Sequence, residues 1–209
     1  LAAIVDHARY NDLPSLGEAD LARQDPSVDA IMNGPIRDVF RKHASHLTHC
    51  LYLQHRHHLV GADEAVVKVE GTAHLMNSQQ MKEISSFGNK IVPSTWMTSA
   101  GKVLPMEFEV VPADVAAVDL SPAFVAEFVS VLLSHGLDKL FGIDTIAKDN
   151  WAELKIGDAS VVVPDDDKDT VDADGFIQVA FVFEEDKPQF KVHGKCKKDH
   201  KHTTKPARS

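Results

Sequence analysis

The sequence predicts an α+β fold: two similar halves, each a helix followed by three strands, with mainly antiparallel sheet packed against the helices. Two helical patterns are each followed by three strand-like runs. The two passes also echo one another in register, which reads as an internal duplication. FRKHA…CLYL parallels LLSHG…GIDT without a gap, matching His43 with His135 and Leu51 with Ile143, and AVVKVEGTA parallels AELKIGDAS, matching Lys68 with Lys155.

Residues 1–32 are expected to form an N-terminal helical segment, in which SLGEADLARQDPSVDAIM supplies one or two short helices. Residues 33–186 form the α+β domain, with repeats 33–112 and 121–186. Asn33-Gly34-Pro35 opens its first helix, with Ile36, Val39 and Phe40 at helical spacing and an end near His43-Ala44. The strand runs that follow are LTHCLYLQHRH, DEAVVKVEGTAHLM and KVLPMEFEVV. Between the last two, NSQQMKEISSFGNK reads as a polar loop and IVPSTW as an extra short strand.

The second helix has clear boundaries. Ser121 is its N-cap, Pro122 takes the first position, and Phe124, Val125, Phe128, Val131 and Leu132 make the apolar face. His135 suits the C-terminal end of the helix dipole and Gly136 stops it. The strands KLFGIDTI, WAELKIGDASVVV and GFIQVAFVFEE follow. VPDDDKDTVDADG does not fit an EF-hand, since that alignment leaves Thr170 and Phe181 at ligand positions, and it reads as a solvated hairpin loop.

The net charge of −9 is unevenly spread: residues 187–209 carry eight Lys/Arg against one acidic residue, so this basic His- and Cys-containing tail is +7 and the rest −16. An acidic body argues against nucleic acid as a partner, because phosphate binding needs a cationic face. No run of apolar residues is long enough for a membrane span. Two cysteines are too few for a disulfide framework, and with no leader pattern in LAAIVDHARY a cytoplasmic location is expected, unless a secretion signal has been removed. The sequence leaves the oligomeric state open.

Seven of the twelve histidines lie between His43 and His74. If 47–59 is one strand, His55 and His57 project from the same face, with Cα atoms roughly 6.6 Å apart. Two imidazoles so placed can converge on one ion. His74, at the end of the next strand, is the third expected ligand, and Glu70 shares its face. Cys196, His200 and His202 in the tail supply further candidates. The alternative for each histidine is a hydrogen-bonded core residue. In the other half, Ala147 and Asp149 stand at the positions of His55 and His57, so only one half would host a site. Arg56, on the opposite face, reads as an anion clamp or a solvated cation, and Cys50 as a small buried hydrophobe. Cys196 lies among lysines that would favour its thiolate.

The segments GPIRDVFRKH, LYLQHRHHLV, KIVPSTWMTSAGKVLPMEFEVVP and PAFVAEFVSVLLSHGLDKLFGI resemble a group of uncharacterised fungal proteins with an LLHRHF-type strand and a KIVPxSW segment. The resemblance covers roughly residues 34–143. It places that group's histidine pair on His55 and His57, and its terminal Cys and His on Cys196, His200 and His202. The chain departs from the pattern at His58, where Phe is usual, and at Met106, where Tyr is usual. The resemblance implies no reaction.

The expected function is therefore metal binding, by a small metalloenzyme acting on a small-molecule ligand through a centre at His55 and His57 that holds iron, zinc or copper. The alternative is a non-catalytic interaction or metal-buffering protein. No G-x-S-x-G, P-loop, G-x-G-x-x-G, H-E-x-x-H or C-x-x-C motif supports another chemistry.

Overall fold

A computed structural model of the chain describes residues 5–156, 159–165 and 175–198, with the backbone alone at 155, 156 and 159. The strands are β1 (His49–Leu53), β2 (Glu64–Val69), β3 (Thr72–Asn77), β4 (Asn89–Ser99), β5 (Lys102–Pro112), β6 (Phe141–Thr145), β7 (Trp151–Ile156), β8 (Ala159–Pro164), β9 (Phe176–Val182) and β10 (Lys191–Lys197). They close into one barrel in the order β1-β6-β4-β5-β2-β3-β8-β7-β10-β9. This corrects the expected α+β architecture and its helix-plus-three-strand halves. IVPSTW is not a short extra strand but part of the eleven-residue β4, and NSQQMKEISS is not a loop but holds helix α5 (Ser78–Ser86) with an Asn77 capping box.

Closure depends on two parallel pairs, β2 with β5 and β7 with β10, which no hairpin pattern foretells. The strand order is unchanged when β1–β5 and β6–β10 are exchanged. Leu51 and Ile143, matched in the sequence, are direct partners across β1 and β6.

Helices cover the barrel's outside. α1 (His7–Asn11), α2 (Leu16–Arg23) and α3 (Pro26–Ile31) precede a wide turn at Met32–Ile36 that kinks at Gly34 and leads into α4 (Arg37–Lys42). α6 runs Pro122–His135, with Ser121 accepting from the Phe124 N–H and Gly136 at φ 68° ending it. Phe40 of α4 meets Phe124 and Phe128 of α6 edge-on, with ring centroids 5.0 and 5.7 Å away. These rings share one core with Leu51, Ile143 and Phe181, which are cross-strand partners and so lie on a single face. A second cluster, Ala65, Val67, Ile91 and Phe108 with Met81 of α5, covers β2, β4 and β5. Among the described residues no helix is long and apolar enough to cross a membrane.

The opposite face points inward, and it is polar. Partners share a face, so the register can be followed round the wall: Cys50 to Asp144, Asp144 to Thr95, Thr95 to Glu107, Glu107 to Val66. Lys68, on the same side of β2 as Val66, pairs with Ala73, and Ala73 with Ser160. Two residues along from Ser160, Val162 pairs with Glu153, and Glu153 with Cys196. Glu107, Asp144, Glu153 and Ser160 are all buried. Burying three carboxylates costs several kcal/mol each unless they are paired, and here His57 stands beside Glu153, Lys68 beside Glu107 and Thr95 beside Asp144.

Candidate metal centre

The histidine pair converges by a different route from the one expected. β1 ends at Leu53, so His55 and His57 do not sit on a strand face but on the segment that turns across the barrel end. That segment is tied down residue by residue. The Gln54 N–H donates to Leu140 O (2.9 Å) and the Arg56 N–H to Pro14 O (3.0 Å). The Arg56 guanidinium donates to the carbonyls of Leu13 and Asn11. Asn11 and Val60 exchange two bonds of 2.9 Å. Arg56 thus straps the N-terminal segment to the histidine segment.

Held this way, both imidazoles turn inward. His55 Nδ1 donates to the Leu53 carbonyl at 2.8 Å. His57 Nδ1 lies 2.8 Å from Glu153 Oε1, with both side chains 2% exposed. A carbonyl and an ionised carboxylate are acceptors only, so each partner favours a proton on Nδ1. The two Nε2 atoms face one another at 2.6 Å. Cys196 Sγ comes in from β10, 3.5 Å from Glu153 Oε2. One donor atom from each of His55, His57 and Cys196 lies within 4.8 Å of the other two, and all three residues are buried. This group could hold a metal ion. His55 Nδ1 has its partner in the Leu53 carbonyl, and His57 Nδ1 has the Glu153 carboxylate within ion-pair distance.

Burial alone would pull the His57 pKa down, but the Glu153 carboxylate outweighs it and holds the imidazole above its ordinary value. Glu153 is pushed up by burial and, more strongly, down by His57 and Lys68, so it stays ionised. Burial, reinforced by Glu153, raises the Cys196 thiol well above its usual value. The lysine-rich surroundings read from the sequence therefore do not activate it: Cys196 is 0% exposed and points away from them. The Tyr52 ring stacks on His55 at 5.5 Å, and its hydroxyl is 3.5 Å from His57 Nε2. Tyr10 of α1, 0% exposed, closes the end of the barrel close enough to feel Glu107 and Glu153.

The other expected ligands lie elsewhere. His74 pairs with Val67, whose side chain belongs to the outer cluster under α5, so pleat parity turns it away from the interior. Glu70 sits at the tip of the β2–β3 turn with φ 48°. The histidine strand β1 pairs with β6 and β9 rather than with β2, the strand that follows it. His200 and His202, like the acidic segment at 166–174, lie outside the described residues. His43 bonds Glu127 at 2.8 Å, His193 bonds Asn150 at 3.2 Å, and Cys50 is buried without a disulfide.

Glu153, Tyr52, Lys68, Glu107 and Asp144 were not singled out by the sequence reading. The available signal was a carboxylate inside a short, mainly apolar run, as Asp144 in FGIDTI and Glu153 in WAELKI. Compared with protein-family models, curated proteins and solved structures, the chain matches none of them.

Proposed function

We propose that the protein is a metalloenzyme in which His55, His57 and Cys196 hold one zinc or copper ion and a small molecule takes the remaining position. The observation that carries this reading is the convergence of two Nε2 atoms and one thiol in a buried group, with the Leu53 carbonyl and the Glu153 carboxylate beside the two Nδ1 atoms. Two imidazoles and a thiolate suit zinc and copper better than iron among the three metals expected. Three protein ligands leave a fourth position open, as catalytic sites do and closed structural sites do not. A bound ion there supplies Lewis acidity toward water or a carbonyl oxygen.

The chain's own residues divide the remaining work. Glu153 fixes the His57 tautomer and accepts from Cys196 when that thiol is protonated. The Leu53 carbonyl fixes His55. Tyr52 holds the His55 ring by stacking and offers a hydroxyl beside His57 Nε2. Tyr10 and the α1 segment exclude bulk water from that end of the barrel.

The 2.6 Å separation favours one competing reading, in which a proton is shared between the two Nε2 atoms and no metal is held. A tetrahedral ion with bonds of about 2.0–2.1 Å needs its nitrogens about 3.3 Å apart, so metal uptake must open this contact. Titration of the metal-free protein with cobalt(II) decides between them. A thiolate-to-cobalt charge-transfer band that saturates at one equivalent and vanishes in Cys196→Ser supports the metal centre. No band, with a histidine proton signal characteristic of a short N–H–N bond, supports the proton-sharing pair.

A further inference from the structure

The barrel has a second mouth. β1 starts at His49, opposite Thr145, and ends at Leu53, from which the chain turns in to His55 and His57. At the starting end, past the β2–β3 turn and the end of β6, a cavity of about 300 Å³ opens among Lys68, Ser94, Glu109, Asp144, Trp151 and Val162. It reaches close to the centre. Trp151 lines the cavity, and Glu153, two residues along the same face of β7, contacts His57. Same-face neighbours on a strand are roughly 6.6 Å apart.

The cavity is a built site. Lys68 Nζ pairs with the buried Glu107 Oε2 at 3.1 Å, which uses one of its three donors and leaves others for a ligand. Asp144 Oδ1 accepts from Thr95 Oγ1 at 2.8 Å and from the Thr145 N–H at 3.0 Å, which fixes the carboxyl group at the mouth. Ser94 stands at a register shift in β4, is 3% exposed, and its hydroxyl has no partner among the described residues. A buried hydroxyl without a partner costs about 1–3 kcal/mol. A ligand oxygen would remove that cost.

We propose that this mouth binds a small amino acid with a neutral side chain, its carboxylate on Lys68 and Ser94 and its ammonium on Asp144 and Glu109. The charges select the class. The lining offers the remaining Lys68 donors beside two carboxylates, Asp144 and Glu109, so a dicarboxylate is repelled while a zwitterion finds both of its partners. The volume and the Trp151 and Val162 walls limit the side chain to a small one. The proposal goes beyond the metal centre: His55, His57 and Cys196 do not line this cavity, and binding at the mouth does not require the metal.

The test is calorimetric titration of the whole protein, metal-free and zinc-loaded, with L-alanine, L-serine, lactate and methylamine. Alanine and serine are expected to bind both forms, with lactate and methylamine at least tenfold weaker. Asp144→Asn is expected to weaken alanine binding at least tenfold at unchanged zinc content. Ser94→Ala, which removes only an unsatisfied hydroxyl and so keeps the fold, should weaken it severalfold. Amino acids that bind no better than lactate, or that bind Ser94→Ala and Asp144→Asn as tightly as wild type, overturn the proposal. If zinc binds and no amino acid does, this inference falls and the metal centre stands. If amino acids bind and no metal does, the mouth site stands and the metalloenzyme reading falls.

Discussion

Glu153 on β7 and His57 on the segment after β1 meet at 2.8 Å, both almost fully buried, although 96 positions separate them. This contact joins the two parts of the chain that make the centre. β7 and β10 are parallel neighbours, so the strand that carries Glu153 also delivers Cys196 to it. Five structural consequences can be tested.

Glu153→Gln keeps a carbonyl oxygen for the His57 Nδ1 proton but removes the charge behind it. Loss of such an outer-shell partner is expected to lower metal affinity about 10–100-fold. Competition with a chelator of known affinity measures the change, and near-native far-UV circular dichroism would show that the barrel survives.

Asp144 gives a pH-dependent stability with a definite sign. Burial raises its pKa from 3.8 to about 6, against a smaller opposing pull from Lys68. The folded state therefore holds the proton more tightly than the unfolded one. Stability from this group is full below about pH 4 and is lost as pH rises through about 6. Asn can accept the same bonds from Thr95 and Thr145 without the charge. Asp144→Asn is thus expected to be more stable than wild type at pH 8, by on the order of 1–3 kcal/mol, with the difference gone by about pH 4. Urea denaturation at the two pH values checks this, and a less stable variant at pH 8 would contradict it.

His74→Ala should leave metal content and affinity unchanged, because His74 shares the outer face with Val67. Elemental analysis of the variant beside wild type is sufficient. A drop in content would place His74 in the centre after all.

Gly194 lies between the register shifts of β10, and a Cβ there would meet the Trp151 ring, with no room before the ring moves. Gly194→Ala is expected to destabilise the protein by about 1–3 kcal/mol, as overpacking does. It should also weaken amino-acid binding, since Trp151 walls the mouth. Thermal denaturation and calorimetry would read the two effects separately.

Local chemistry was legible in the sequence and long-range closure was not. The Ser121-Pro122 start and Gly136 stop of α6 are set by groups within a few residues of each other, and the structure has that helix at those positions. The spacing of His55 and His57 and the donor type of Cys196 mark them as candidates without any fold. Reading them onto a continuous strand failed because Leu53 is the last residue with a ladder partner, and nothing local to LQHRHH says so. The face of His74 is set by its pairing with Val67, whose side chain lies in the outer cluster, and nothing local to EGTAHLM tells which face of that hairpin the barrel turns inward. Glu107, Asp144 and Glu153 read as the polar positions of half-exposed strands. They become interior only once the parallel pairs β2–β5 and β7–β10 close the sheet on itself.

The most direct test of the account is the metal content of protein purified without a histidine tag, for wild type and for the His55→Ala/His57→Ala double variant. About one equivalent of zinc or copper in wild type, lost in the variant while the fold persists, is the expected result. Wild type without stoichiometric metal, even after incubation with either ion, would contradict it and leave His55 and His57 as a buried pair joined by a proton.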